Sequence, residues 1–193
     1  MTVSTTGSRR PRGRPKKVTV AEIADAALTL LDTEGLDAVS FRRVAGELGV
    51  SHMTLYSYLD SKEALLDVMV GRALEVPELT HPQGDWAQSL REVLVEIHDA
   101  LVARPGIAQL IITTSLDGPW VIAVRDRLVG LLRPAGFTRS QSVDAISVLV
   151  NYVLGTALVE ASRGSGASPR AFTTGLDLLI EGLHRRVEDS ASG

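Results

Sequence analysis

Six cations, Arg9, Arg10, Arg12, Arg14, Lys16 and Lys17, stand in the first 17 residues with no acid among them. Such a cluster attracts a polyanion. Further along, Arg42 precedes a row of Ser51, His52, Met53 and Thr54, followed by Tyr56, Tyr58 and Lys62. Donors, acceptors and cations over so short a span are what reading base edges in a groove and holding the flanking phosphates require. A third group is Glu92, Glu96 and Asp99, at i, i+4 and i+7 with His98 alongside, which has the residue types of a metal site or an acid–base pair. No HExxH or comparable spacing accompanies it, and a solvated acidic face accounts for it more simply. A hydrolase or lyase built on His98 and a nearby carboxylate lacks a nucleophile motif, a glycine-rich phosphate loop and triad-like spacing. Among 193 residues there is no cysteine, which excludes a disulfide scaffold, a thiolate zinc site and cysteine catalysis. No metal and no cofactor is expected.

The elements that must position these residues are helical. The chain is 45% hydrophobic but only 4% aromatic, and its wealth of Ala, Leu and Val favours helices over sheets. Ile23, Ala24, Ala27, Leu28, Leu30 and Leu31 recur at helical spacing between Thr19, a suitable N-cap, and Gly35. Ser40 can cap a short helix with Val44, Ala45 and Leu48 on one face, ending at Gly49, which suits the left-handed turn of a sharp reversal. Ser51 can cap a third helix, His52 to Tyr58, with Leu55 and Leu59 continuing the apolar stripe. Two short helices about a tight glycine turn make a helix-turn-helix. A fourth helix runs from Lys62 to about Glu75. After a connector from Pro77 to Gly84, amphipathic spacing resumes at Asp85 and is broken by Arg104-Pro105-Gly106. Ile107 to Thr114 is a short apolar segment, Pro119 to Leu132 a helix, and Ser140 to Ser162 a long helix apolar on nearly its whole circumference. Arg163 to Pro169 is a loop before a last helix carrying Phe172, Leu176, Leu179, Ile180 and Leu183. Such an all-round apolar helix must be covered on both sides. The fold class is all-α, with no strand pattern. Its organisation is a basic disordered arm over 1–17, a three-helix helix-turn-helix domain with its connecting helix over 18–76, and a second helical domain over 77–193.

The run from Ser40 to Leu66 resembles the signature of the tetracycline-repressor (TetR) family: the Gly49-Val50-Ser51 turn, Thr54-Leu55-Tyr56, and Lys62 with Leu65-Leu66 fall where that family has them. Beyond Trp86 the chain resembles that family's C-terminal domain through Arg104-Pro105, the break at Gly136, and Val153-Leu154-Gly155 to Glu160. The resemblance implies a ligand-responsive repressor without enzymatic activity, binding a palindromic double-stranded operator as a homodimer and released by a small-molecule effector. It also implies that Arg42 reaches DNA from the helix before the reading helix. A transcriptional activator, or an architectural DNA binder working through the arm, remain the alternatives. In the arm, Arg10 to Lys17 resembles an AT-hook, whose Arg-Gly-Arg-Pro core, here Arg12 to Pro15, lies in a narrow minor groove; nonspecific phosphate attraction is the other reading.

By the same resemblance the C-terminal domain binds the effector and dimerises through helices 140–162 and 170–187, with Gly155, Ala157 and Ala161 allowing close approach. A central helix buried within one subunit is the alternative. Effector-site candidates are the polar-tipped or aromatic groups within apolar helices, Trp86, His98, Thr113, Thr114, Trp120, Asn151 and Tyr152. The formal net charge of −3 divides unevenly, since 14 basic residues face 23 acidic ones after Lys17. The basic N-terminal stretch has no apolar signal core and the longest charge-free apolar run, Ala145 to Val159, falls short of a bilayer span. A cytoplasmic protein with no membrane partner is expected.

Overall fold

The computed structural model describes residues 17–74, 85–113, 118–163 and 169–191. Within these the chain forms nine α-helices and no strand. Helix α1, Val20–Glu34, opens with a reciprocal cap: the Glu22 N–H donates to Thr19 Oγ1 at 3.2 Å and the Thr19 N–H donates to Glu22 Oε2 at 2.7 Å. Helix α2, Phe41–Leu48, is capped by Ser40 and ends at Gly49, whose φ of 67° and ψ of 32° are left-handed. There the Gly49 N–H donates to Gly46 O and the Val50 N–H to Ala45 O, which turns the chain into α3, His52–Tyr56. The reading helix is two residues shorter than its sequence suggests. Ser57 ends it by donating its hydroxyl to Thr54 O at 2.6 Å, and the Tyr58 N–H closes a tight turn onto Leu55 O.

Helix α4, Lys62–Leu74, starts where Ser61 Oγ accepts the Ala64 N–H. It packs on α1 on one side and on α5 (Trp86–Ala103), α6 (Pro105–Thr113) and α7 (Pro119–Leu132) on the other. The Arg104-Pro105-Gly106 break is narrower than the sequence implies. Only Arg104 leaves the helical path, and Pro105 begins α6 because a first-position proline lacks an N–H that would have gone unpaired there anyway. A short 3-10 turn, Arg133–Ala135, stops at Gly136 with φ 91°. Then come α8, Arg139–Arg163, and α9, Pro169–Ala191.

One continuous apolar core runs through both halves, from Ile23, Leu55 and Leu65 to Leu94, Leu110 and Leu149. Helix α8 is wedged against α5, α6, α7 and α9. By length and composition alone it is apolar enough to cross a bilayer, which the uncharged run inside it had not suggested. It is not covered all round: Val143, Val148 and Val159 are exposed, as is Leu178 on α9.

The turn at Gly49 makes a prediction. Gly49→Ala forces a Cβ into the left-handed region and should lower stability by about 1–2 kcal/mol, read as an earlier urea midpoint with unchanged slope. Thr19→Ala, which removes a cap remote from that turn, should cost about 1 kcal/mol. Equal midpoints for Gly49→Ala and the parent would show that the turn relaxes around an added side chain.

Candidate functional site: a reading face and an apolar cavity

Helix α3 is held from below by Leu55, fully buried, and by Leu59 just after it. Positions 52, 53 and 56 project from the opposite side, and His52, Met53 and Tyr56 are all exposed. Met53 is 65% exposed. Ser51 and Thr54 are engaged with each other. The Ser51 hydroxyl caps α3 by accepting the Thr54 N–H at 3.2 Å and lies 3.0 Å from Thr54 Oγ1. Thr54 is half-buried, whereas His52, Met53 and Tyr56 are exposed. The Tyr56 ring stacks on Phe41 at 4.4 Å with planes 2° apart, so the packing role and an exposed phenol coexist in one side chain.

Several cations of the N-terminal helices lack an acidic partner among the described residues. Arg42, Lys62 and Lys17 are exposed and make no ion pair among the described residues, whereas the adjacent Arg43 is paired with Glu34. Tyr58 is exposed beside them. Arg12, Arg14 and Lys16 of the arm lie outside the described residues. The exposed side of α3 thus presents a thioether, an imidazole and a phenol, and the helices before and after it each carry an exposed cation, Arg42 and Lys62, without an ion pair among the described residues.

Behind this head, α4, α5, α6, α7 and α8 enclose a half-open cavity of about 360 Å³. Its walls are Val70 and Leu74 from α4, Leu94, Ile97 and Leu101 from α5, and aliphatic residues of α6, α7 and α8. Trp120 is its aromatic wall, and Asn151, exposed, stands at its opening. Ser147 and Arg125 join Asn151 there and escaped the sequence reading. Ser147 precedes Asn151 by one helical turn within the largely apolar middle of α8, a pairing that the sequence does carry. Nothing in the spacing of the Pro119 to Leu132 helix distinguishes Arg125 from its other arginine. Among the described residues no carboxylate lines this cavity.

The other effector-site candidates are dispersed. Trp86 lies between Phe137, 5.9 Å away edge-on, and His184, 4.6 Å away; Phe137 also lines a second, larger half-open cavity of about 680 Å³ between α8 and α9. Tyr152 donates its hydroxyl to Phe172 O at 3.1 Å, and burial, with Glu160 nearby, pushes its phenol above the usual range, so it is a fixed donor. His98 is buried, stacked on Phe172 at 3.6 Å, with Nε2 3.8 Å from Glu160 Oε1. Glu92, Glu96 and Asp99 are exposed on its helix. Thr113 is exposed and spends its hydroxyl on Gln109 O. Thr114 lies outside the described residues. Of the six candidates among the described residues, Trp120 and Asn151 alone meet at the cavity.

Known proteins resemble this chain in sequence and in fold. Residues 23–69 match the family model described as bacterial regulatory proteins, tetR family, and residues 77–170 that of the tetracyclin repressor-like C-terminal domain. The HTH-type transcriptional repressor DrrR1 of Streptomyces coeruleorubidus is 33% identical over 174 residues, covering 86% of this chain. The match spans 64% of that repressor's length. The tetracycline repressor protein class A from transposon 1721, of Escherichia coli, is 30% identical over 163 residues, 77% of this chain and 69% of that one. Of the solved structures, the Streptomyces coelicolor TetR family protein ActR in complex with actinorhodin superposes with a TM-score of 0.74 at 26% identity, over 89% of this chain and 99% of that one. BioQ with its double-stranded DNA operator gives 0.69 at 26% identity, over 88% and 99%. With an N-terminal helix-turn-helix and a C-terminal helical domain that each match their own family model, in the order the fold requires, the chain belongs to the TetR family of bacterial transcriptional regulators.

Proposed function

We propose that this chain is a homodimeric repressor that binds an inverted-repeat operator through α3 and leaves it when a small apolar effector enters the cavity behind α4. The observation that carries this reading is that α4 is common to both parts: it supports the reading head through α1 and supplies Val70 and Leu74 to the cavity wall. A ligand shifts an equilibrium only by binding one arrangement better than the other, and a site that shares a helix with the head has the means to do so. The relatives favour the same reading, since one is named a transcriptional repressor, one was solved with actinorhodin and one with operator DNA.

His52, Met53 and Tyr56 are the side chains for base edges, with Met53 suited to a thymine methyl, and Arg42 is suited to the bidentate grip of a guanine. Lys62, Tyr58 and Lys17 face phosphates, and Arg12, Arg14 and Lys16 would extend the contact along the minor groove. Two identical heads related by a two-fold axis need inverted half-sites about one helical turn apart. For the second subunit, Val148, Gly155 and Val159 of α8 form an exposed stripe, and Leu178 and Gly182 an exposed part of α9. A Cβ at Gly155 or Gly182 would meet nothing within 4 Å, so a partner helix has room to approach. The effector chemistry follows from the cavity lining. An apolar body fits among the aliphatic side chains and Trp120, and a single anionic or hydrogen-bond-accepting group fits Arg125, Ser147 and Asn151 at the opening.

Lys62→Ala should weaken binding to all sequences alike and flatten the salt dependence by about one unit of slope, because one phosphate neutraliser is removed. Arg42→Ala should instead change the selected sequence, with about 1–3 kcal/mol of discrimination lost at one base pair. Selection of an unaltered sequence by Arg42→Ala would remove it from base readout, and light scattering that found a monomer at micromolar concentration would remove the two-fold model.

The effector class is tested with two dyes. Anilinonaphthalene sulfonate, an apolar body with one anion, should light up in the parent and bind roughly threefold more weakly to Arg125→Ala, the factor of an exposed ion pair. The uncharged phenylnaphthylamine should not distinguish parent from variant. Equal loss for both dyes would mean that Arg125 acts through packing, and no loss for either that the charged group is not recognised.

A further inference from the structure

Helix α4 carries one buried carboxylate that neither the reading face nor the cavity uses. Asp67 is 4% exposed. Its Oδ2 accepts the Trp120 N–H at 3.1 Å and its Oδ1 accepts the Val121 N–H at 3.3 Å. These are first-turn donors of α7, which have no partner within their own helix. Helix α7 brings no cap of its own, since its N-cap position is Gly118 and its first residue is Pro119. Its N-terminus is therefore capped from α4, and a negative group is favoured at that end of a helix.

The surrounding residues are fitted to this contact. Gly118 has φ −69°, which any residue adopts, so conformation does not require glycine there. Space does: a Cβ at Gly118 would stand 2.1 Å from Asp67 Cγ. One turn further along α4, a Cβ on Gly71 would stand 2.6 Å from Trp120 Cδ1. Asp67 and Gly71 thus take the backbone and the ring of the same residue. Trp120 and Val121 also line the cavity, opposite Val70 and Leu74 of α4. Toward the head, Arg72 Nε of the same helix donates to Asp25 of α1 at 2.7 Å.

We propose that Asp67 is a positioning residue that latches α4 to the first turn of α7 and thereby transmits the state of the cavity to the reading head. This rests on the reading that the chain binds operator DNA. A body lodged between Trp120 and Val70 presses the two helices apart. Because Asp67 pins one edge of that contact, the separation becomes a tilt of α4 rather than a loss of contact. Coupling is reciprocal, so DNA that fixes α4 must also act on the α7 end of the latch.

The reciprocal direction needs no effector and supplies the test. DNA sites are selected in vitro with the full-length parent, and backbone amide exchange is followed with and without the selected DNA. In the parent, DNA should slow exchange at Trp120 and Val121 by roughly fivefold or more. Asp67→Asn keeps the shape but presents one acceptor oxygen in place of two. Gly118→Ala displaces the carboxylate from the α7 side and leaves α4 untouched. Each variant should exchange faster at these amides when free, as any lost cap would cause, and each should still bind the DNA. The response to DNA at 120 and 121 should be gone, which a purely structural cap does not predict. Variants that bind the DNA and keep the parent's slowing would overturn the latch, and Gly118→Ala answers alone if Asp67→Asn does not fold. A parent that selects no sequence would defeat the operator reading itself, and the latch with it.

Discussion

The structure depends on a single helix being buried on two sides. Helix α4 places Leu65, Leu66, Met69 and Val70 in the interior and packs against α1 in one direction and against α5, α6 and α7 in the other. A helix in that position cannot carry an ordinary amphipathic pattern, with one apolar and one polar face. Its polar residues must either reach solvent at the seam, as Arg72 does, or find partners inside, as Asp67 does. Burying a carboxylate without partners is costly, so its two N–H donors are a condition of this packing. The continuity of the core between the two halves and the position of the cavity both depend on that arrangement.

Helix α1 is tied to the rest in a matching way. Asp25 and Asp32 are two turns apart on it and take Arg72 of α4 at 2.7 Å and Arg104, between α5 and α6, at 3.0 Å. Both pairs are exposed and contribute little to stability. They set orientation, and the apolar contact beneath is tight, since a Cβ on Gly106 of α6 would stand 3.0 Å from Leu31 Cγ of α1. The head thus meets the second domain at α4 and at the start of α6, and Leu101 and Ile111, from the two helices flanking that second contact, both line the cavity.

Much of this was legible in the sequence, for local reasons. Thr19, Ser40 and Ser51 cap the helices they precede, and Gly49 adopts the left-handed turn that its position between two short apolar stripes requires. Periodicity reports which face of a helix is buried but not what buries it. The cavity is lined by Leu94, Ile97 and Val153, residue types indistinguishable in sequence from a filled core. Trp86 and Tyr152 have the right chemistry for a ligand site, yet Tyr152 bonds to the carbonyl of Phe172 on another helix, a partner no local pattern announces. Pro105 signals a break and a helix start with equal force, and which one it is depends on whether the preceding helix is complete. Nothing in the local sequence singles out Asp67 among the polar residues of the fourth helix. Its role becomes visible only when the N-terminus of α7 is brought beside it.

The doubly buried α4 also bears on how such regulators exchange parts. A reading head cut away after α3 would leave behind the helix that closes its own core, exposing Ile23 and Leu55. One cut after Leu74 would carry with it a face shaped for a foreign cavity, with Val70 and Leu74 uncovered and a carboxylate lacking its α7 amides. Neither seam yields an interchangeable cassette. The smallest unit that keeps all of its contacts is therefore larger than the three N-terminal helices, since it must bring along the helices that cover the far side of α4.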